Sequence, residues 1–578
     1  VIIKFFYIQI IQHNYFEKKS NNNSVKIVPI PPARGIIFDR NKRILAENKI
    51  THNLEIDPTK KIDIKKIANE LNPFVPITKN DLAQYQRIIK NNYFSSTVPI
   101  KIDLTEQELA RFLTNKYLFS NISLKTRLKR HYQHKELTSH VVGYINRINQ
   151  KDIKLLTKNK RLSLYRGSDH IGKRGIEQRY ENLIHGIPGF EKIEVDAKGN
   201  IIRTLEKKEP IHGQDIQLSI DIELQKKAID AFGDRKGALV ALSPHNGEIL
   251  AYVSQPYFNP NLFVNGIDHK NWNILNTNKA RPLLDRVTKG LYPPGSTIKP
   301  FIAIAGLENN LRVPPFQIND PGFFTMPNQS KTFRNWKRDG HGQVDMVKAI
   351  AVSSDTFFYG LGLELGLDKM NQTLKAYGFG HKTGIDILGE KEGLVANKEW
   401  KIKNKKEKWY AGETVITAIG QGFTLVTPIQ LANATAKIAL PDNQNYVSPH
   451  ILLNSNQLKQ RNDKLYTPPP NKKNTMSYVK EGMEAVTGAG GTASFLKGGS
   501  YKIAAKTGTA QVFGLAGGEY VEEDLPEHLK DHALFIAYAP AKKPKLVVAV
   551  IVENGGSGGS AAGPIAKKVF DHYLLSNQ

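Results

Sequence analysis

Two groups of short apolar runs, far apart along the chain, constrain the fold more than any other feature. In the middle, Ala238-Leu-Val-Ala-Leu242 and Glu248-Ile-Leu-Ala-Tyr-Val253 flank the turn residues Pro244-His-Asn-Gly247, the pattern of a β-hairpin. Near the end, Tyr501-Lys-Ile-Ala-Ala505, Leu534-Phe-Ile-Ala-Tyr538 and Leu546-Val-Val-Ala-Val-Ile-Val552 read as strands, and Ala561 to Leu575 reads as a closing helix. Strands at both ends of a long helical middle predict one α/β or α+β domain whose sheet draws on both ends, beginning near residues 210–216.

The chain has 578 residues, so a further domain is expected ahead of this one. Residues 41 to about 215 mix short strands with helical segments, Lys60–Asn69 and Thr105–Thr114 among them. Asp215–Ile220 alternates like a strand, and Asp221–Phe232 follows like a helix. Pro31–Arg40 reads as an extended lead into a strand that ends in a turn. The polar stretch Lys18–Asn23 reads as an exposed stalk. The apolar run Val1–Ile11 carries Lys4 and is shorter than the ~20 residues of a membrane span. On its own it fits either the tail of an anchor or a short amphipathic or buried helix, and no cleavable signal pattern is visible.

Lys+Arg total 81 against 54 Asp+Glu, a net charge of +27. The excess is scattered, as in Lys401-Ile402-Lys403-Asn404-Lys405-Lys406 and Asn471-Lys472-Lys473-Asn474. It gathers on no periodic face, so it reads as composition and not as a nucleic-acid footprint. There is no cysteine, which excludes disulfides, thiolate catalysis and Cys-ligated metals.

Three motifs carry chemistry. In Tyr292-Pro-Pro-Gly-Ser-Thr-Ile-Lys-Pro300, two prolines and a glycine break the chain before the apolar run Phe301–Ala305, which puts Ser296 at or near a helix start. Ser296 and Lys299 are three apart and share a face. A serine hydroxyl needs a base to become a nucleophile, a buried lysine can be that base, and a helix start offers N–H groups to an oxyanion. Ser353-Ser354-Asp355 follows the apolar stretch Met346–Val352; taken alone it is a helix N-cap signal. Lys506-Thr507-Gly508-Thr509 continues the strand from Tyr501. An exposed strand edge there could pair with an extended peptide, with the lysine and threonines meeting a carboxylate. Further copies occur at Ser477/Lys480 and Ser494/Lys497, read as solvated surface, and at Lys382-Thr383-Gly384, read as a turn.

In this order the motifs match the Ser-x-x-Lys, Ser-x-Asn, Lys-Thr-Gly set of penicillin-binding proteins and β-lactamases. Over nearly its whole length the chain resembles class B penicillin-binding proteins, closest to the cell-elongation branch. Arg34-Gly-Ile-Ile-Phe-Asp-Arg40 with Leu45-Ala46 resembles their membrane-proximal signature. Gly175-Ile176-Glu177 with Tyr180, Glu181 and Leu183 is similar to another. So are Asn259-Pro260-Asn261 and Gly420-Gln421-Gly422 with Thr427-Pro428. An aspartate at 355 in place of the usual asparagine is also seen in that branch.

The resemblance implies an α+β multidomain protein. Residues 1–20 would be the end of a membrane anchor and stalk, 21–215 a mixed α/β non-catalytic pedestal, and 216–578 a serine β-lactamase-like transpeptidase domain with a central antiparallel sheet flanked by helices. It implies a peptidoglycan D,D-transpeptidase of the bacterial inner membrane. Ser296 would attack the penultimate D-Ala carbonyl and Lys299 would take its proton. Ser353 and Lys506 would relay that proton to the leaving amine. Asp355, Thr507, Gly508 and Thr509 would bind substrate, the two threonines holding its carboxylate, and the N–H groups of Ser296 and Thr509 would form the oxyanion hole. β-Lactams would acylate Ser296. Expected partners are stem peptides, a RodA-type glycan polymerase and elongation-complex proteins, with no nucleic acid and no cofactor. Some relatives set an Asp, Asp, His, Cys cluster for zinc beside the site. The matching positions here are Asp320, Asn335, His341 and Ser354, of which two are good zinc ligands, so no structural zinc is expected.

A β-lactamase or carboxypeptidase shares the serine chemistry but would need an activated water, and about 215 N-terminal residues would have no job in it. A β-lactam sensor would carry several spans and a signalling domain. A scaffold with decayed catalysis conflicts with the intact motif residues. No glycosyltransferase fusion is supported. The division-specific paralogue is the remaining alternative.

Overall fold

The computed structural model describes residues 6–12, 25–57, 63–90, 97–196, 201–327, 332–440, 446–453, 474–496, 499–511 and 526–576. The expected stalk at 18–23, Val1–Phe5, Lys60 to Ile62, Asn471 to Lys473, Lys497 and Val512 to Gly514 lie outside the described residues.

The predicted sheet forms from both ends of the C-terminal domain. Its strands are β1 (Gly237–Leu242), β2 (Ile249–Gln255), β3 (Ala504–Ala510), β4 (His532–Ala539) and β5 (Leu546–Val552), in the spatial order β2-β1-β5-β4-β3. Every neighbouring pair is antiparallel. Every residue of β1, β2 and β5 is buried, so both faces are covered. Helices α1 (Ile222–Phe232) and α5 (Gly563–Leu575) pack on each other and on the sheet, and α4 (Pro428–Ala439) packs against β1, β4 and β5. Asp221 caps α1 by accepting the N–H groups of Glu223 and Leu224, and Thr427 and Gln430 form a reciprocal capping box on α4. Helix α2 (Lys299–Glu308) is buried from Lys299 to Leu307, and α3 (Asp355–Ala376) packs against it. An apolar helix at the centre of the domain is a stiff mount for whatever stands at its N-terminal end.

The pedestal half is mixed α/β. A five-stranded sheet combines Ile37–Phe38, Ile44–Ile56, Val98–Lys101, Ile122–Tyr132 and Ile216–Gln217, and a three-stranded sheet combines Val25–Ile30, Gly189–Val195 and Ile201–Lys208. The signature residues explain how the pedestal closes. Buried Glu177 accepts Arg34 Nε at 2.7 Å and Arg130 Nε at 2.6 Å, and Arg34 also reaches Glu181 at 2.6 Å. Asn261 pairs with both backbone groups of Tyr132, at 3.0 and 2.9 Å, and the Tyr180 hydroxyl donates to Asp386 at 2.8 Å. The last of these bonds tie the N-terminal half to the C-terminal half, and one apolar core runs from Ile37, Leu45 and Tyr132 into the sheet.

Three readings shift. The last sheet segment before α1 is paired only at Ile216–Gln217, and β3 runs over Ala504–Ala510, so the Lys-Thr-Gly motif is itself the strand. Ser477 is exposed as read, but Lys480 is half-buried and donates to Leu440 O at 2.7 Å, so its amine is not on solvated surface; a lysine stem on a packed helix spends its ammonium capping a neighbouring helix end. Among the described residues no helix is long and apolar enough to cross a membrane; Tyr7–Ile11 forms a short helical turn.

Candidate active site

Ser296 stands in a single tight turn, Gly295–Ile298, that leads directly into α2, and its side chain is half-exposed. One turn further on, Lys299 is completely buried. Its ammonium donates to Ser353 O at 2.9 Å, Ser353 Oγ at 3.1 Å and Asp355 Oδ1 at 2.6 Å, and lies 5.5 Å from the centroid of the Phe358 ring. All three of its N–H donors are thereby used.

Ser353-Ser354-Asp355 serves two ends at once. Ser354 is the N-cap of α3, accepting the Phe357 N–H at 3.2 Å. The cap forces a sharp change of direction, and Ser353 takes φ +57°, a left-handed conformation that costs a serine about 1–3 kcal/mol. It is held there by Lys299 on its carbonyl and by the Ser354 N–H, which donates to Ala349 O at 3.0 Å. The Asp355 carboxylate is oriented from its other side by the Trp336 N–H at 3.1 Å.

Strand β3 lies at the edge of the sheet and packs against the Ser296 turn. A Cβ at Gly508 would fall 2.7 Å from Thr297 Cγ2, and one at Gly295 would fall 2.5 Å from Thr509 O. Close approach of two backbones therefore sets the distance between the serine turn and the Lys-Thr-Gly strand. Gly295 N–H donates to Gly420 O at 2.9 Å, and Gln421 Nε2 to Thr509 O at 3.1 Å, which gives the Gly420-Gln421 signature its place. Lys506 is also completely buried, with its ammonium on Thr507 O at 2.9 Å. Thr507 Oγ1 is 2.8 Å from Thr492 Oγ1, a residue the sequence reading missed.

Burial pulls the Lys299 amine below the ordinary lysine value, against the Asp355 carboxylate, which pushes it back up. Burial, joined by the like charge of Lys299, pushes Lys506 well below it. Two lysines with depressed basicity beside one half-exposed serine are suited to accepting and passing on protons.

Behind Asp355, the four positions weighed for zinc converge. Asp320 Oδ2 accepts Asn335 Nδ2 at 2.7 Å, Ser354 Oγ at 2.7 Å and His341 Nδ1 at 2.9 Å, and its Oδ1 accepts the Gly322 N–H at 2.9 Å. Burial would raise the Asp320 carboxyl, but the bonds from His341, Ser354 and Gly322 outweigh it and hold the group below its ordinary range.

Of the second-copy motifs, Lys382-Thr383-Gly384 lies in irregular chain and not in the expected turn, with Thr383 N–H and Oγ1 on Glu390 at 2.8 and 2.7 Å. Ser494 is exposed.

Comparison with known proteins places this geometry. A model of the penicillin-binding protein transpeptidase domain matches residues 237–571, and one of the penicillin-binding protein dimerisation domain matches 29–218. The chain is 43% identical to the peptidoglycan D,D-transpeptidase MrdA of Acinetobacter baumannii, over 100% of this chain and 85% of that one. A solved complex between penicillin-binding protein PBP2 and MreC from Helicobacter pylori superposes with a TM-score of 0.83 at 31% identity, covering 96% of this chain and 99% of that one. Pseudomonas aeruginosa PBP2, solved in complex with WCK 5153, gives a TM-score of 0.70 at 37% identity, covering 95% and 97%. Pedestal, sheet and motif order together define a penicillin-binding serine transpeptidase. Within that class, the chain belongs to the class B PBP2/MrdA family of peptidoglycan D,D-transpeptidases, enzymes of the cell envelope.

Proposed function

We propose that the chain cross-links stem peptides during cell elongation through an ester on Ser296. Ser296 Oγ attacks the carbonyl of the penultimate D-Ala as its proton passes to Lys299. The amide C–N bond then breaks, and the leaving D-Ala nitrogen receives a proton through Ser353 and Lys506. The N–H groups of Ser296 and Thr509 face the oxyanion, and Thr507 and Thr509 hold the substrate carboxylate, with Gly508 giving the substrate backbone room to lie along β3. An amine from a second stem peptide resolves the ester. β-Lactams acylate the same serine.

The observation that carries this reading is the pair of fully buried lysines, one bonded to Ser353 and Asp355 and the other on the strand packed against Ser296. The reading includes the pedestal at 21–215, the catalytic domain at 216–578 and a single N-terminal helix anchoring the protein in the inner membrane. Its partners are a RodA-type glycan polymerase and elongation-complex proteins; PBP2 of Helicobacter pylori is solved in complex with MreC.

Incubation of the soluble part with a fluorescent penicillin, followed by gel and mass spectrometry, tests it. A one-to-one adduct on Ser296 that persists for many minutes and is lost in Ser296→Ala is expected. Rapid release of penicilloate would instead identify a β-lactamase, and no adduct on folded protein would overturn the acyl-enzyme.

A further inference from the structure

The Asp320 cluster fails as a metal centre on its own geometry. A structural metal needs three or four lone pairs aimed at one point. Here both oxygens of Asp320 are already filled by protein donors, and two of those donors, an amide N–H and a hydroxyl, come from positions 335 and 354. His341 turns Nδ1 to the carboxylate, leaving Nε2 as the only buried atom of the four side chains without a partner. Among the described residues no group of three His, Cys, Asp or Glu could hold a metal ion.

The same bonds lead straight to the reacting groups. Ser354 Oγ donates to Asp320 and caps α3, fixing the turn in which Ser353 takes its left-handed φ. Asn335 donates Nδ2 to Asp320, while its Oδ1 accepts the Asp355 N–H at 3.3 Å. The next residue, Trp336, gives its N–H to the Asp355 carboxylate, whose other oxygen holds Lys299. Asp320 itself belongs to a short strand pair, Ile318–Asp320 with Gly342–Val344, so its carboxylate is anchored independently of α3.

We propose that Asp320 is a positioning residue for acylation, the hub of a metal-free network through Ser354 and Asn335 that sets Ser353 and Asp355 against Lys299. The proposal rests on the acyl-enzyme reading above. In that role the buried carboxylate replaces a metal ion as the common acceptor. Asp320→Asn keeps the shape but removes the charge and one acceptor: with its NH2 in the Oδ2 place it faces Asn335, Ser354 and His341, and with its NH2 in the Oδ1 place it faces the Gly322 N–H, so in either orientation the side chain must shift and the bonds to Ser354 and Asn335 weaken with it. A displacement of the order of 1 Å at the reacting groups lowers the chemical step by roughly 100-fold.

The experiment resolves β-lactam acylation of Ser296 into the non-covalent dissociation constant and the first-order acylation rate, for wild type, Asp320→Asn, Ser354→Ala and Ser354→Thr. Melting temperature and zinc content are measured on the same preparations. The expected result is an acylation rate down 10- to 100-fold in Asp320→Asn and Ser354→Ala, an unchanged dissociation constant, and recovery in Ser354→Thr, which keeps the hydroxyl. Added zinc or a chelator should change neither rate nor melting temperature of the wild type. Three outcomes would overturn the proposal: stoichiometric zinc in wild-type protein purified without added metal, an Asp320→Asn protein that melts earlier yet acylates at the wild-type rate, or a loss that Ser354→Thr fails to restore. No adduct on Ser296 in the wild type would strike the acyl-enzyme reading itself.

Discussion

On the proposed acyl-enzyme reading, with Lys299 as the base, Asp355 sets when that base is free to act. With Asp355 Oδ1 at 2.6 Å and Ser353 on its other two protons, the buried amine is bonded as an ammonium ion. A base must first lose that proton, so the ion pair sets the pH at which acylation switches on. Asp355→Asn is nearly isosteric and removes the charge. At 2.6 Å and an effective dielectric of about 20, the Coulomb attraction lost is at most ~6 kcal/mol. The amide oxygen still accepts one bond, and part of the loss is offset by relief of the buried carboxylate. Paired charges at this range move pKa values by about 1–3 units, or roughly 1–4 kcal/mol. The sign is fixed: Asp355 raises Lys299 and Lys506 against burial, so its loss lets both fall further.

The assay is the second-order rate of acylation by a fluorescent penicillin from pH 5 to 9, which reports groups on the free enzyme. In Asp355→Asn the acid-side inflection should move down by about 1–3 pH units. The plateau should also drop, because the amide cannot accept the Trp336 N–H as the carboxylate does. An inflection that stays in place or moves up would refute the reasoning, since the titrating group would then not be a lysine paired with Asp355.

Two further predictions concern packing and burial. Gly508→Ala would press a methyl to 2.7 Å from Thr297 Cγ2, so the strand must move off the serine turn; a stability loss of about 1–3 kcal/mol by denaturant unfolding and a clear fall in acylation rate are expected, and unchanged values of both would refute the close approach. Lys437, buried in α4 with its amine on Tyr377 O at 3.0 Å, is brought down to about 7 by burial. Below that pH both states carry the proton and the native state bears the penalty; between about pH 7 and the unfolded value of 10.5 only the unfolded state holds it, so stability gains up to ~1.4 kcal/mol per pH unit. Unfolding free energies of wild type and Lys437→Met at pH 6, 7.5 and 9 should therefore change in the wild type's favour as pH rises, and parallel curves would refute it.

What was legible in the sequence follows from what local chemistry can encode. The strands β1, β2, β4 and β5 were visible because continuous apolar runs bounded by turn residues have few other uses. The Ser296 turn was visible because two prolines, a glycine and an apolar helix leave the serine little choice of place. Ser353-Ser354-Asp355 shows why the bland and the sharp readings need not compete: Ser354 is a helix cap, and the cap is what holds Ser353 and Asp355 on Lys299. Lys480 was misread because periodicity places a side chain on a face but not its terminal amine on the carbonyl of another helix. Thr492 left no signal, since it sits in the glycine-rich run Gly488-Ala-Gly-Gly-Thr492 and meets Thr507 only through the fold. Asp386 was equally silent. It accepts the Ile451 and Leu452 N–H groups and the Tyr180 hydroxyl, partners in separate parts of the chain.

The three motifs proposed to carry catalysis come from segments far apart in sequence, and what holds them in register is mostly the absence of side chains. Gly295 lies against Thr509 O, Gly420 against the backbone of Gly295, Gly508 against Thr297, and Gly558 against both backbone groups of Gly508. Each contact joins two different loops or strands at a separation that no Cβ would allow. The serine turn is thus clamped by backbone on both sides, while polar side chains fix the lysines and the Ser353 corner from behind. Backbone contacts cannot lengthen by rotamer change, as a lysine–carboxylate bond can. The division of labour this implies is that glycine packing sets the distance between nucleophile and strand, and the hydrogen-bonded side chains set only where the protons go.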